Sequence, residues 1–288
     1  MFVVVSSALA QDASSNGGCV FHPITLSDNV EFGNVPVEIG GIDNAGAVVG
    51  AYGPPPGNSK SFLLYRGKLT PFEFPGSSNT FANAINNHSQ IVGSYEGAGG
   101  LHGFVARNGK FEKLDMPGAQ TWLTDINDKG DILGGFQNSQ NVQGSFLLYD
   151  GHFATFNYPG TNPGSTIATG LNNHGVIVGA YTDPVYFRVH GFMAENGHFS
   201  TIDFPGASGT FVYRVNDEGA MAGYYFSAAD GALDHGFIYA KGKFTKVDAP
   251  GGQQTILVGI NDNSQVLGWE IVSYGKTRFF VDTCRELF

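Results

Sequence analysis

Charge is scarce in this 288-residue sequence: Asp, Glu, Lys and Arg together make up only 14% of it. Basic residues number 15 against 25 acidic ones, for a formal net charge of −10 and an isoelectric point near 5.1. So acidic a chain does not neutralise a phosphate backbone or an anionic lipid surface, which excludes nucleic acid and anionic membranes as expected partners. Long apolar runs are missing too, and nothing approaches the ~20 residues of a membrane-spanning helix. Cysteine occurs twice, and no Cys-x-x-Cys, Gly-x-Ser-x-Gly, His-Glu-x-x-His or Walker loop is present. No cofactor and no metal is therefore expected. Asp125–Asp131 resembles the start of a calcium loop, but its fifth position is Lys129 and its twelfth is Phe136, where a carboxylate is needed.

What is abundant is glycine, with 42 residues, and aromatics at 13%, a composition suited to many turns and a large β core. An apolar–Asn/Asp–Asn/Asp step recurs at Ile42-Asp43-Asn44, Ile85-Asn86-Asn87, Ile126-Asn127-Asp128, Leu171-Asn172-Asn173, Val215-Asn216-Asp217 and Ile260-Asn261-Asp262. Successive steps lie 43, 41, 45, 44 and 45 residues apart. Each unit holds four short apolar runs bounded by Gly, Asn or Pro, the mark of four antiparallel strands, a to d. Strand a ends at the step (Thr121–Ile126), and strand b is an Ile/Val-Val-Gly run (Ile91–Tyr95). Strand c holds a Gly-Phe pair (Gly103-Phe104), and strand d follows an Asn108-Gly109 turn (Lys110–Asp115) before Pro117-Gly118 stops the ladder. A period in the forties with four strands per unit predicts an all-β chain folded as a six-bladed β-propeller. The repeated Phe and Tyr positions read as packing between blades.

The two ends of the sequence complete each other. The last unit has runs for strands a, b and c (255–260, 266–270 and 278–282) but none for d, whereas 20–26 precedes the first strand a and reads as a spare strand d. The expectation is a velcro closure, the N-terminal strand completing the sixth blade and removing two free sheet edges. Aligning Phe279-Phe280 with Phe104-Val105, and Phe21 with Phe111, places Cys284 and Cys19 together at the position of Gly109. A Cys19–Cys284 disulfide is expected there, the alternative being two free buried thiols. Residues 1–18 read as a signal-peptide remnant and polar lead-in, with the small-x-small Ala8-Leu9-Ala10, and residues 19–288 as one propeller domain. The paired cysteines and the signal remnant predict a secreted protein, extracellular or periplasmic.

The Ile-Asn-Asp/Asn-x-Gly-x-Ile-Val-Gly steps, the triplets His102-Gly103-Phe104, His190-Gly191-Phe192 and His235-Gly236-Phe237, and the Asp-x-Pro-Gly endings resemble the bacterial HAF-type extracellular repeat family, over essentially residues 20–288. The resemblance implies an exported bacterial protein and carries over no activity. Three units depart from the triplet, with Lys60-Ser61-Phe62, Gly144-Ser145-Phe146 and Thr277-Arg278-Phe279. Because His102, His190 and His235 occupy one equivalent position in separate blades, they read as structural groups bonded to a neighbouring loop.

Function belongs to positions at which the repeats differ. On the side of the d–a connections, the residues four, two and one before each step are Glu38, Gly40, Gly41; Phe81, Asn83, Ala84; Trp122, Thr124, Asp125; Ile167, Thr169, Gly170; Phe211, Tyr213, Arg214; and Ile256, Val258, Gly259. Phe81, Trp122 and Phe211 also fit inter-blade packing. Glu38, Asn83, Trp122, Asp125, Tyr213 and Arg214 form the candidate ligand site at a channel mouth, where unlike polar and aromatic groups converge as an asymmetric ligand requires. The favoured reading is a monomeric extracellular binding module for a polysaccharide or cell-surface glycan, with Trp122 as the stacking platform and Trp269 a structural residue. Two alternatives stand beside it: a lyase or glycoside hydrolase with Asp125 and Arg214 at the channel mouth, Glu38 and Asp125 being the carboxylate pair a hydrolase would need, and an adhesion scaffold without a small ligand.

Overall fold

The computed structural model describes residues 18–24, 37–53, 57–273 and 276–284. The expected signal remnant in residues 1–17 lies outside them. The described chain forms six four-stranded antiparallel sheets, each with its strands in the order a-b-c-d. The inner strands a are Val37–Ile42, Asn79–Ile85, Ala119–Ile126, Thr166–Leu171, Gly209–Val215 and Gln254–Ile260, which define blades one to six. These strands touch their neighbours around a closed ring, the sixth meeting the first. The six-bladed β-propeller expected from the repeat is the fold observed. Among the described residues no helix is long and apolar enough to cross a membrane.

A recurring pair fills each blade. The strand c phenylalanines Phe62, Phe104, Phe146, Phe192, Phe237 and Phe280 are all at most 3% exposed. Each lies opposite the glycine of the Val-Gly run, Gly93 facing Phe104 and Gly268 facing Phe280. A Cβ at Gly93 would come within 2.9 Å of the Phe104 ring, and one at Gly268 within 2.6 Å of Phe280. The glycine is therefore the slot into which the core ring lies, and any side chain there would overpack it. Between blades, Phe74 stacks on Tyr95, Tyr158 on Tyr181 and Phe204 on Tyr225, each with ring centroids 3.7 Å apart. These recurring stacks are the inter-blade packing that the periodicity suggested, while the strand c rings lie over a glycine of their own blade.

The velcro closure is present, with one correction of register. Val20–Pro23 pairs with Lys276–Thr283 and completes blade six. Ile24 extends the pairing by donating its N–H to Phe279 O, and residues 25 and 26 of the expected strand lie outside the described residues. The core ring over Gly268 is Phe280, not Phe279, so strand c of this blade sits one residue from the expected alignment. Cys284 then stands at the place of Asn108 and Cys19 at that of Gly109. These are the two residues of a hairpin turn in which both φ angles are positive, 50° and 73°. Cys19 and Cys284 are disulfide-bonded with Cα atoms 4.1 Å apart, close to the ~3.8 Å between residues joined by a peptide bond. The disulfide takes the place of the missing turn.

The Asn/Asp step does more than turn the chain. The first residue caps its own a–b turn through Oδ1, as Asn172 does for the N–H groups of His174 and Val176. Its amide also donates to the equivalent carbonyl of the next blade: Asn86 to Asn127, Asn127 to Asn172, Asn172 to Asn216, Asn216 to Asn261, and Asn261 to Asp43. Asp43, which has no amide, is the one gap. The second residue forms a closed belt, each backbone N–H donating to the next side chain through Asn44, Asn87, Asp128, Asn173, Asp217, Asp262 and back to Asn44.

Candidate functional site

Every inner strand carries a β-bulge at the residue two before the step, at Gly40, Asn83, Thr124, Thr169, Tyr213 and Val258. A bulge leaves one residue out of the ladder, so its carbonyl has no cross-strand partner. Five of these carbonyls converge on one guanidinium. Arg214 Nη2 donates to Gly40 O at 3.3 Å, Asn83 O at 2.9 Å and Thr124 O at 3.1 Å, and Nη1 donates to Tyr213 O at 3.1 Å and to Thr169 O. The planar donor fork suits several acceptors arranged around an axis, which a lysine ammonium would serve less completely. Arg214 thereby closes the channel and ties five blades together.

The residue after each bulge faces the axis, where the strands come close. A Cβ on Gly170 would lie 2.9 Å from Arg214 Cα, and one on Gly41 3.1 Å from Ala84 Cα. Two blades place larger groups there, and the two are complementary. Asp125 is buried, its Oδ2 3.8 Å from Arg214 Nε, and it accepts the N–H groups of Leu171 and Ile126. Burial pushes the Asp125 carboxyl up, while Arg214 and the two N–H groups oppose that rise. Asp125 lies on the side of the a–b turns, among the Asn/Asp belts.

On the other side of Arg214 a cavity of about 530 Å³ opens toward the d–a connections. It brings together Glu38, Asn83, Tyr213 and Arg214 of the six candidate residues, with Thr124 and Thr169 beside them. Asn83 donates its amide to Leu123 O, Thr124 its hydroxyl to Ala168 O and Thr169 its hydroxyl to Val212 O, so each side chain staples its blade to the next. Burial raises the pKa of the Tyr213 hydroxyl, with Glu38 among the nearby charges adding to the rise. Trp122 and Asp125 do not line this cavity. The Trp122 indole lies across Gly135 of its own blade, where an added Cβ would come within 2.3 Å of it. Glu38 and Asp125 stand on opposite sides of the Arg214 plug, so these two carboxylates do not share a cavity.

The remaining wall is Trp269, Thr277 and Phe279 of blade six, facing Val37 and Ile39 of blade one. Sequence reasoning missed this wall. At the position of Phe279 the other blades have Ser61, Gly103, Ser145, Gly191 and Gly236, small residues against which the next inner strand packs closely. A Cβ on Gly191, for example, would lie 2.8 Å from Val212. The one bulky residue at this position is where the axial cavity extends outward between blades. The signal was the replacement of Gly or Ser by Phe279, hidden by the one-residue slip in alignment.

The triplet histidines lie apart from this cavity. His102 Nδ1 is 2.7 Å from Asp115 Oδ2, His190 Nδ1 2.6 Å from Asp203 Oδ2, and His235 Nδ1 2.8 Å from Asp248 Oδ2. Each pair links the triplet to the Asp-x-Pro-Gly ending of the same blade, and blade one substitutes Lys60–Glu73 at 3.1 Å. In blade six Arg278 holds this position and pairs with Glu270 at 2.7 Å. The two sequence motifs are halves of one clasp between strand c and the d–a connection, which is why strand d of blade two ends at Lys113 and leaves Asp115 for the histidine.

No protein-family model matches the chain, and no curated protein matches it in sequence. Among solved structures it is similar to the SapL1 lectin in complex with alpha methyl fucoside, with TM-score 0.54 and 14% identity over 82% of this chain and 88% of that one. It is also similar to the Aleuria aurantia lectin, a six-bladed β-propeller with a described fucose recognition mode, with TM-score 0.51 and 11% identity over 85% and 91% of the two chains. A third similar structure is the Hadza microbial sialidase Hz136, with TM-score 0.54 and 9% identity over 88% of this chain and 66% of that one. At these identities the likeness is one of fold.

Proposed function

We propose that this chain is an exported, glycan-binding propeller of the HAF repeat type, whose site is the axial cavity on the side of the d–a connections. The carrying observation is the cavity itself: about 530 Å³, walled by Trp269, Phe279 and Tyr213, with Glu38, Asn83, Thr124 and Thr169 at its polar side. Aromatic faces beside a few fixed polar groups suit a sugar, whose ring presents an apolar C–H face and a rim of hydroxyls. Lectins among the structures of similar fold support the reading. The disulfide supports an oxidising compartment, and with it export. The hydrolase alternative loses support from the placement of Glu38 and Asp125 on opposite sides of Arg214.

On this reading the stacking role belongs to Trp269, which lines the cavity, and not to Trp122, which does not. An aromatic stacking contact is worth roughly 1–3 kcal/mol by analogy with base stacking, so Trp269→Ala is expected to weaken binding by about ten- to a hundredfold. Trp122→Ala is the companion variant outside the cavity and keeps the affinity of the parent. The assay is a glycan-array screen followed by calorimetry, with circular dichroism on each variant. A folded Trp269→Ala protein that binds as the parent does refutes this site.

A further inference from the structure

The electrostatics of the cavity narrow the class of ligand, on the reading that the cavity binds a glycan. Two lining residues among those described carry charge, Glu38 and Arg214. They are not equivalent. Arg214 spends both terminal nitrogens on five backbone carbonyls and directs Nε toward Asp125. A guanidinium so enclosed has no donor fork left for a carboxylate, sulfate or phosphate. Glu38, by contrast, is exposed at the mouth. Thr124 and Thr169 have already given their hydroxyl protons to neighbouring carbonyls, which leaves their oxygens as acceptors, and Asn83 has spent one of its two amide N–H groups on Leu123 O and keeps its side-chain carbonyl as a further acceptor. Trp269 and Phe279 add aromatic rings to the lining, and the faces of such rings attract cations and do not attract anions.

We infer that the cavity selects a sugar bearing a protonated amine, a de-N-acetylated amino sugar unit, with the ammonium between the Glu38 carboxylate and the aromatic wall and the sugar hydroxyls on Asn83, Thr124 and Thr169. An ammonium group has three donors and no acceptor, the complement of the Glu38 carboxylate, which only accepts. Anionic sugars such as uronates meet a carboxylate at the mouth and a cation behind it that is already consumed. A neutral sugar keeps the stacking and hydroxyl contacts and forgoes the charge contact.

Three oligosaccharides of matched length test this by calorimetry with the full chain: an oligoglucosamine, its fully N-acetylated counterpart, and an oligogalacturonate. Measurements are made at mildly acidic pH, where the amine carries its proton, and at low and physiological ionic strength. The oligoglucosamine is expected to bind most tightly, its advantage shrinking as salt screens the exposed Glu38. In Glu38→Gln the ratio of oligoglucosamine to N-acetylated affinity is expected to fall by up to about fivefold, the range of an exposed ion pair. A preference for the N-acetylated or the uronate oligomer, or an affinity ratio unmoved by Glu38→Gln, overturns the charge assignment and leaves glycan binding standing. Failure of all three sugars to bind overturns both.

Discussion

Arg214 is the point at which the closure of the ring can be broken by one substitution. Arg214→Met keeps most of the side-chain volume and removes the guanidinium. Five bulge carbonyls lose their donor, and Asp125, buried and 3.8 Å from Nε, loses its countercharge. A hydrogen bond from a charged donor contributes roughly 1.5–3 kcal/mol, but five such bonds to one group are not additive, because water entering the channel re-solvates several carbonyls at once. The better guide is the breaking of a buried ion pair from one side, about 3–5 kcal/mol. For a chain of this size that corresponds to a fall in Tm of roughly 10 °C.

The assay is urea unfolding of the oxidised protein, followed by tryptophan fluorescence and circular dichroism. Two further readouts separate the cage from ordinary packing. Burial already holds the Asp125 carboxyl above its ordinary value and Arg214 opposes the rise, so removing Arg214 raises it further. A folded-state pKa raised above the unfolded value means stability lost as pH climbs through it; the deficit of Arg214→Met is therefore smaller in acid, where Asp125 takes up a proton, than at neutral pH. Adding Asp125→Asn to Arg214→Met should cost less than the sum of the two single changes. A loss under about 1 kcal/mol, below that of one charged hydrogen bond, and independent of pH would refute the reasoning.

Asp43→Asn supplies the one missing amide of the inter-blade chain, able to donate to Asn86 O as Asn261 does to Asp43 O, and removes a carboxyl whose pKa burial raises; the expected gain is about 1 kcal/mol, read as a higher urea midpoint, and a lower midpoint contradicts the assignment. Asp282 is fully buried in the closing blade and is pushed up to about 8, chiefly by burial, against a hydrogen bond from His22 N–H and with Glu270 adding repulsion. Its folded pKa exceeds the unfolded value of 3.8, so the chain should lose a few kcal/mol between about pH 4 and pH 8; Asp282→Asn should flatten that slope, and an unchanged slope places the titration elsewhere. Cys19→Ser with Cys284→Ser opens a link spanning 265 residues and should cost up to about 5 kcal/mol; unfolding midpoints equal to those of the oxidised parent would show that four strand residues close the ring unaided.

The fold was legible because its signals are local and repeated six times. Turn residues, alternating strands and a period in the forties do not depend on which blade one inspects. The velcro pairing followed from matching the ends, and only its register went astray. Phe279-Phe280 offers two adjacent rings for one core slot, and sequence alone does not say which lies over Gly268. That single step concealed Phe279 as the bulky exception in a row of Gly and Ser, and with it the cavity wall. Asp125 was found as an exceptional residue but assigned to the same mouth as Glu38, from which the structure separates it. The cause is the bulge, which shifts the alternation of strand a by one residue and turns the side chain after it toward the axis. A bulge stabilised by a guanidinium from another blade leaves no trace in the local sequence. The second bond of the Asn amide is hidden for the same reason, since its acceptor lies one blade away.

The placement of the proposed site follows from what the backbone does at the bulge. In five of the six blades, all but that of Val258, the bulge carbonyl binds Arg214 whatever the side chain is. The side chains at Asn83, Thr124, Thr169 and Tyr213 therefore differ with that contact kept, the first three adding a bond to the next blade, whereas a Cβ at Gly40 would lie 2.6 Å from Ala82 O. The next residue has no such freedom: Gly41, Ala84, Gly170 and Gly259 stand where the inner strands nearly touch, and only a matched acid and base, Asp125 and Arg214, fill the space left at the axis. Six arginines would repel one another over acceptors that one guanidinium suffices to serve. The axis must then be asymmetric even though the blades are repeats. An asymmetric plug beneath a ring of unlike side chains supports the proposed recognition of an asymmetric ligand on the d–a side, where Glu38 and Trp269 stand.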